Sequence, residues 1–200
     1  MHNLRITALL TLAVTLLTVT AHAAESLTPE GKFESGLGYS GVPEGWDIQP
    51  GDWRDKPSLA IKILSEGASP DAEGKNYLRL SNSGAADDGM FRLSLNVLLP
   101  TPTPTKVILG WKIRAQIDEL SSTVEWSSVQ CVVTFNDKKG QPISTQNGVL
   151  RMTRSTAGRW LEREAVLDVP TGTAEINIMP GLYLIKGTLD LDDISITPAQ

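Results

Sequence analysis

Histidine is almost missing from this chain. Only two of its 200 residues are histidine, and both, His2 and His22, lie in an N-terminal stretch that reads as a removable leader. Residues 24–200 contain none. That excludes Ser-His-Asp and Cys-His nucleophilic catalysis, His-ligated zinc and histidine pH switching together. Cysteine is reduced to Cys131, so no internal disulfide can form and stability must come from the core. In residues 129–135 (VQCVVTF), Cys131 shares a face with Val129, Val133 and Phe135, the setting of a small buried hydrophobe rather than a nucleophile. Positive charge is in deficit: 18 Lys and Arg against 23 Asp and Glu give a net charge of −5. Nucleic acid is therefore a poor partner on charge.

Long apolar runs are confined to the N-terminus. Arg5 precedes residues 6–20 (ITALLTLAVTLLTVT) and then 21–24 (AHAA), a basic start, an apolar run and an A-x-A site with cleavage after Ala23. The run is short for a span of about 20 apolar residues, lacks a basic stop-transfer flank and is not followed by a cysteine that would carry a lipid. This predicts a signal peptide over 1–23, a secreted or periplasmic product, no stable membrane insertion, and a single module over 24–200.

Helical periodicity is missing as well, and period-two alternation takes its place. Leu59, Ile61 and Ile63 point one way, as do Leu78 and Leu80. Phe91, Leu93, Leu95 and Val97 oppose Arg92, Ser94 and Asn96. Val107, Leu109, Trp111, Ile113 and Ala115 oppose Lys112, Arg114 and Gln116. Further strands are expected at 129–135, 161–169, 174–178 and 187–196. Between them lie turn-forming stretches: 67–74, 84–89 (GAADDG), 136–142 (NDKKGQP) and 170–173 (PTGT). Residues 100–105 (PTPTPT) read as a stiff extended crossover between sheets. Many short strands with such punctuation predict an all-β, antiparallel sandwich or barrel.

In order along the chain, 31–36 (GKFESG), 43–46 (PEGW), 76–82 (NYLRLSN), 109–115 (LGWKIRA), 159–170 (RWLEREAVLDVP) and 187–196 (GTLDLDDISI) resemble galactose-binding-like jelly-roll modules. These are the carbohydrate-binding modules attached to xylanases, cellulases and related enzymes. The resemblance implies a two-sheet antiparallel β-sandwich with the N- and C-terminal strands adjacent. It also implies non-catalytic binding of a polysaccharide or oligosaccharide, with a separate glycan-degrading enzyme as a partner because no catalytic domain is present. An extracellular adaptor binding a protein is the alternative. A histidine-free polysaccharide hydrolase or lyase on the same fold is a second alternative, since fold does not decide chemistry.

The terminal strand contains a phase slip. Leu189 and Leu191 alternate one residue out of step with Ile194 and Ile196, which calls for a β-bulge at Asp192–Asp193. The resemblance places this acidic pair beside Phe33 and Glu34 and implies a structural Ca²⁺ held by Glu34, Asp192 and Asp193, hard oxygen ligands of the kind calcium takes. Lys32 departs from the family pattern, and an ammonium there offers an electrostatic replacement for the ion. An acidic bulge that guards an edge strand is the other reading.

Sugar binding uses an aromatic platform and polar side chains. Trp111 faces the core, and Trp46 and Trp160 read as packing residues. Trp53 and Trp126 remain as candidate platforms, or else as caps on the ends of the sandwich. Tyr77, Arg79, Arg92, Asn96, Lys112, Arg114, Gln116 and Gln130 point outward. If their strands share a sheet they make a basic, amide-rich face suited to uronate or sulfated glycans; otherwise they form solvated surface. The carboxylates show no compact strand-borne array of the kind a glycosidase requires.

Overall fold

Alternating apolar residues give ten strands: β1 (Asp47–Gln49), β2 (Leu59–Ser65), β3 (Asn76–Asn82), β4 (Met90–Leu98), β5 (Lys106–Leu120), β6 (Ser128–Asn136), β7 (Pro142–Met152), β8 (Leu161–Asp168), β9 (Glu175–Tyr183) and β10 (Ile185–Pro198). They are seen in a computed structural model that describes residues 26–28, 31–65 and 76–199. The signal peptide expected over 1–23 and the turn expected over 67–74 lie outside the described residues. No helix among the described residues is long and apolar enough to cross a membrane.

The strands form two five-stranded antiparallel sheets, ordered β1-β4-β9-β6-β7 and β2-β3-β10-β5-β8. The predicted inward positions meet between them. Leu78, Leu80, Phe91, Leu93, Leu95, Val97, Val107, Leu109, Trp111 and Ile113 are all buried in one core, and so is Cys131. The Pro-Thr stretch at 100–105 links β4 in one sheet to β5 in the other, so it is the expected crossover. The chain ends also meet: the Leu27 amide donates to the Ile196 carbonyl at 2.7 Å, and the Ile194 amide donates to the Gly31 carbonyl at 2.9 Å.

The phase slip resolves as expected. Asp192 pairs with Lys112 and Ser195 with Gly110, leaving Asp193 and Ile194 opposite Trp111 alone. Asp193 takes a positive φ of 47°, and Leu189, Leu191, Ile194 and Ile196 all remain buried. One extra residue thus keeps both halves of β10 facing the core.

Two strands go beyond the sequence expectation. The three-residue β1 is too short to show a period. In β7 three register shifts destroy it: Asn147 and Gly148 stand opposite Val132, Leu150 and Arg151 opposite Gln130, and Ile143 is extra between the Phe135↔Ser144 and Asn136↔Pro142 pairs. Gly148 and Leu150 carry positive φ at the first two. As an edge strand, β7 is also protected by its bulges from pairing with other chains.

Candidate ligand-binding groove

The predicted outward residues divide between the two sheets, so the single basic face does not exist. Tyr77, Arg79, Lys112, Arg114 and Gln116 lie on β3 and β5, while Arg92, Asn96 and Gln130 lie on β4 and β6 of the opposite sheet. A sandwich turns these two outer faces away from each other.

On the β3-β10-β5 face the charges are consumed internally. Asp190 is buried at 2% side-chain exposure. Its Oδ1 accepts from Arg79 Nε at 2.6 Å, and its Oδ2 accepts from Arg79 Nη2 at 2.7 Å and Arg114 Nε at 2.8 Å. The Arg114 guanidinium lies 4.6 Å from the Trp160 ring centre and 5.0 Å from that of Tyr77, and the two rings meet edge to face. Burial of Tyr77 follows from this stacking, although it points outward. Gln116 donates to Asp118 at 3.1 Å. These residues form a charge-paired cluster, and Arg79, Arg114, Gln116 and Asp190 border a hollow of ≈ 300 Å³ on this face.

The other face carries a groove of ≈ 480 Å³ across β4, β9, β6 and β7. Its polar and aromatic lining is Arg92, Trp126, Gln130, Asn147, Arg151 and Tyr183, with Met90 and Val132 adding apolar surface. Trp126 is 46% exposed. Its loop is pinned beneath it, since Ser127 Oγ donates to the Leu184 carbonyl at 2.6 Å and accepts from the Ser121 amide at 3.0 Å. Tyr183 lies along its own strand, donating to the Met179 carbonyl at 2.6 Å. Burial pushes its phenol pKa above the usual range. The Arg92 guanidinium is 5.6 Å from the Tyr183 ring centre, and its Nε and Nη2 both donate to Gln49 Oε1, at 3.0 and 2.7 Å.

Register explains how these groups converge. Gly181 pairs with Arg92 on one side and Gln130 on the other, and the second β7 bulge sets Arg151 beyond Gln130. Arg92, Gly181, Gln130 and Arg151 therefore make one row across four strands. A Cβ on Gly181 would lie 2.5 Å from Arg92 Cβ and 2.6 Å from the Phe91 carbonyl oxygen, so only glycine leaves this floor open. Over the rim formed by Met90 and Arg92, a second hollow of ≈ 260 Å³ continues toward Gln49, Lys56, Ser58 and Asp88.

Of the sequence candidates, Arg92, Trp126 and Gln130 come together here. Asn96 lies further along the face, its Oδ1 accepting from Asn177 Nδ2 at 2.6 Å. Trp53 is a cap: it packs 6.2 Å from Phe91 with its indole nitrogen buried. Tyr183, Asn147 and Arg151 were not foreseen. For Tyr183 the alternation of 174–178 continues to 183, but Pro180-Gly181 reads as a break. The strand tolerates this proline because the β4–β9 ladder lapses between Leu95↔Ile178 and Arg92↔Gly181 while keeping register.

Among the described residues, Glu34, Asp192 and Asp193 do not form a group of three side chains able to hold a metal. Asp193 Oδ2 is ion-paired to Lys112 Nζ at 2.7 Å, a contact that raises the lysine pKa. Asp192 Oδ1 accepts the Asp193 amide at 2.8 Å, and Glu34 Oε1 accepts the Asn76 amide at 3.0 Å. No group of three or more metal-ligating side chains occurs among the described residues. The three side chains that the resemblance named are thus each engaged elsewhere, with Lys112 or a backbone amide. The Lys112 ammonium neutralises Asp193, and Lys32 and Glu34 border the adjoining hollow.

No family model and no curated protein matches this chain. Among solved structures, the xylan-binding CBM22-1 domain from Paenibacillus barcinonensis aligns at 16% identity and TM-score 0.53, covering 89% of this chain and 97% of that one. The enzymatically active domain of tailspike protein 4 of bacteriophage CBA120 aligns at 11% identity and TM-score 0.64 over 87% of this chain; the alignment spans only 21% of the tailspike chain. A Stig cyclase from Fischerella sp. TAU aligns at 14% identity and TM-score 0.59, covering 89% and 100%. At such identities the likeness is one of fold, and the chain has the jelly-roll β-sandwich architecture of carbohydrate-binding modules.

Proposed function

We propose that this chain is an exported, non-catalytic glycan-binding module that holds a polysaccharide or oligosaccharide in the groove of the β1-β4-β9-β6-β7 sheet. The observation that carries the reading is the groove itself: an exposed indole, Trp126, beside a file of guanidinium and amide groups on a rigid sheet. An aromatic ring covers the apolar face of a pyranose while fixed polar groups meet its hydroxyls. The xylan-binding and other carbohydrate-binding modules that share the fold support this reading.

The chemistry of the lining supports binding without turnover. The groove is lined by no Asp or Glu, so the paired carboxylates of a glycosidase are not supplied there. Tyr183 donates its proton to a backbone carbonyl, and burial raises its pKa, which makes it a poor general base. The module would work alongside a glycan-degrading enzyme. The test is a glycan array with residues 24–200. Binding restricted to one polysaccharide class and weakened about tenfold by Trp126→Ala, ~1.4 kcal/mol, is the expected result. No binding by a folded sample would sink the reading and favour a protein-binding adaptor.

A further inference from the structure

We infer that the ligand is an acidic glycan, whose carboxylate or sulfate oxyanions are taken by Arg92 and Arg151 across the groove floor. This rests on the glycan-binding reading and names its substrate class.

Three observations converge on it. The first is a local charge imbalance in a chain of net charge −5: the groove is lined by two arginines and no carboxylate. Neither arginine has an acidic partner among the described residues. Arg92 meets Gln49 Oε1, the Met90 sulfur and the Tyr183 side chain, and Arg151 donates to the Glu125 backbone carbonyl. Elsewhere Asp190 neutralises Arg79 and Arg114, and Asp193 holds Lys112.

The second is orientation. One neutral oxygen, Gln49 Oε1, fixes Arg92 through Nε and Nη2, while Nη1 lies 3.8 Å from the weak sulfur acceptor of Met90 and the guanidinium stands beside Tyr183. The Nη1 side of the guanidinium is thus available to the planar two-point recognition that suits an oxyanion. The third is Gln130, which is 3% exposed yet has no side-chain hydrogen bond among the described residues and lines the groove. Its amide atoms are not buried without a partner; they open onto the groove, where a ligand hydroxyl or oxyanion can meet them. From Arg92 to Arg151 the row crosses three strand spacings, roughly 14 Å. That span suits a chain of linked sugars bearing more than one anion.

The test is calorimetric titration with polygalacturonate, its methyl-esterified form, a sulfated dextran and neutral xylan, at about 50 and 300 mM salt. The expected result is binding to an oxyanion-bearing polymer that weakens with salt. Arg92→Lys should lower the affinity about tenfold and Arg151→Ala several-fold, with unchanged melting. Lys62→Ala, on the other sheet, should have no effect. Polygalacturonate binding lost on esterification identifies carboxylate as the recognised group; binding to sulfated dextran alone identifies sulfate. Salt-insensitive binding to xylan that responds to Trp126→Ala but not to Arg92→Lys would overturn the acidic assignment and leave glycan binding standing. Polyanion binding indifferent to both arginine variants would also overturn it. No binding to any polymer would remove both readings.

Discussion

Replacing Asp190 by asparagine tests whether the arginines of the β3-β10-β5 face serve structure rather than ligand. Asp190 is the shared acceptor for three short charge-assisted contacts from Arg79 and Arg114, and its own side chain is 2% exposed. Removing one member of a buried ion cluster leaves the remaining charges desolvated and uncompensated, at a cost of about 3–5 kcal/mol. Here the asparagine NH₂ would also face guanidinium donors. For a domain of this size each kcal/mol moves the melting midpoint by about 2–4 °C, so a fall of roughly 6–20 °C is expected. Asp168→Asn gives the contrast, because the Lys106–Asp168 pair at 3.2 Å is well exposed and such pairs contribute about 0–1 kcal/mol. Replacing the whole cluster by Arg79→Met, Asp190→Leu and Arg114→Met should recover most of the loss, since apolar packing often substitutes for a buried ion cluster without penalty. Calorimetric melting measures all three. A loss below about 1 kcal/mol for Asp190→Asn, or reduced glycan affinity in a variant that remains folded, would refute the division of labour between the faces.

Other positions give sharp expectations. Gly181→Ala places a Cβ 2.5 Å from Arg92 Cβ; overpacking of this kind costs about 1–3 kcal/mol, and the displaced Arg92 should weaken glycan binding in the same variant. Binding equal to the parent at unchanged stability would contradict the groove floor described here. The Cys131 thiol is fully enclosed, and burial pushes its pKa up to about 12. Aromatic disulfide reagents at pH 8 should therefore leave it unmodified until denaturant is added; rapid native labelling would show that β6 opens. Asp192 is raised from 3.8 to about 6, chiefly by desolvation. A carboxyl with a raised native pKa binds its proton more tightly in the folded state, so its contribution is most favourable below about pH 4 and declines as pH rises through 6. In chelator, Asp192→Asn should melt above the parent at pH 7 and level with it at pH 4. A variant destabilised at pH 7 in chelator would refute the desolvation argument for this carboxyl.

What could be read in advance divides along a physical line. The core follows period-two alternation because each inward residue is selected by burial alone, and residues 91–97 or 107–115 carry that signal without reference to any partner strand. The bulge in β10 was legible for the same reason: two buried pairs, Leu189/Leu191 and Ile194/Ile196, are out of phase and can both face inward only with one extra residue between them. Outward residues carry no such marker. Arg79 and Arg92 have the same phase in neighbouring strands of the sequence, yet β3 and β4 belong to different sheets, so one arginine is ion-paired to the buried Asp190 and the other opens onto the groove. Strand order, set by crossovers such as 100–105, decides between these fates. Arg151 and Asn147 were hidden more deeply, because the two bulges that bring them to the groove are among the irregularities that erase the pattern of β7. Burial periodicity thus reveals a sandwich, whereas its ligand groove is built where that periodicity is broken: at a glycine, at a proline within a central strand, and at two bulges on an edge.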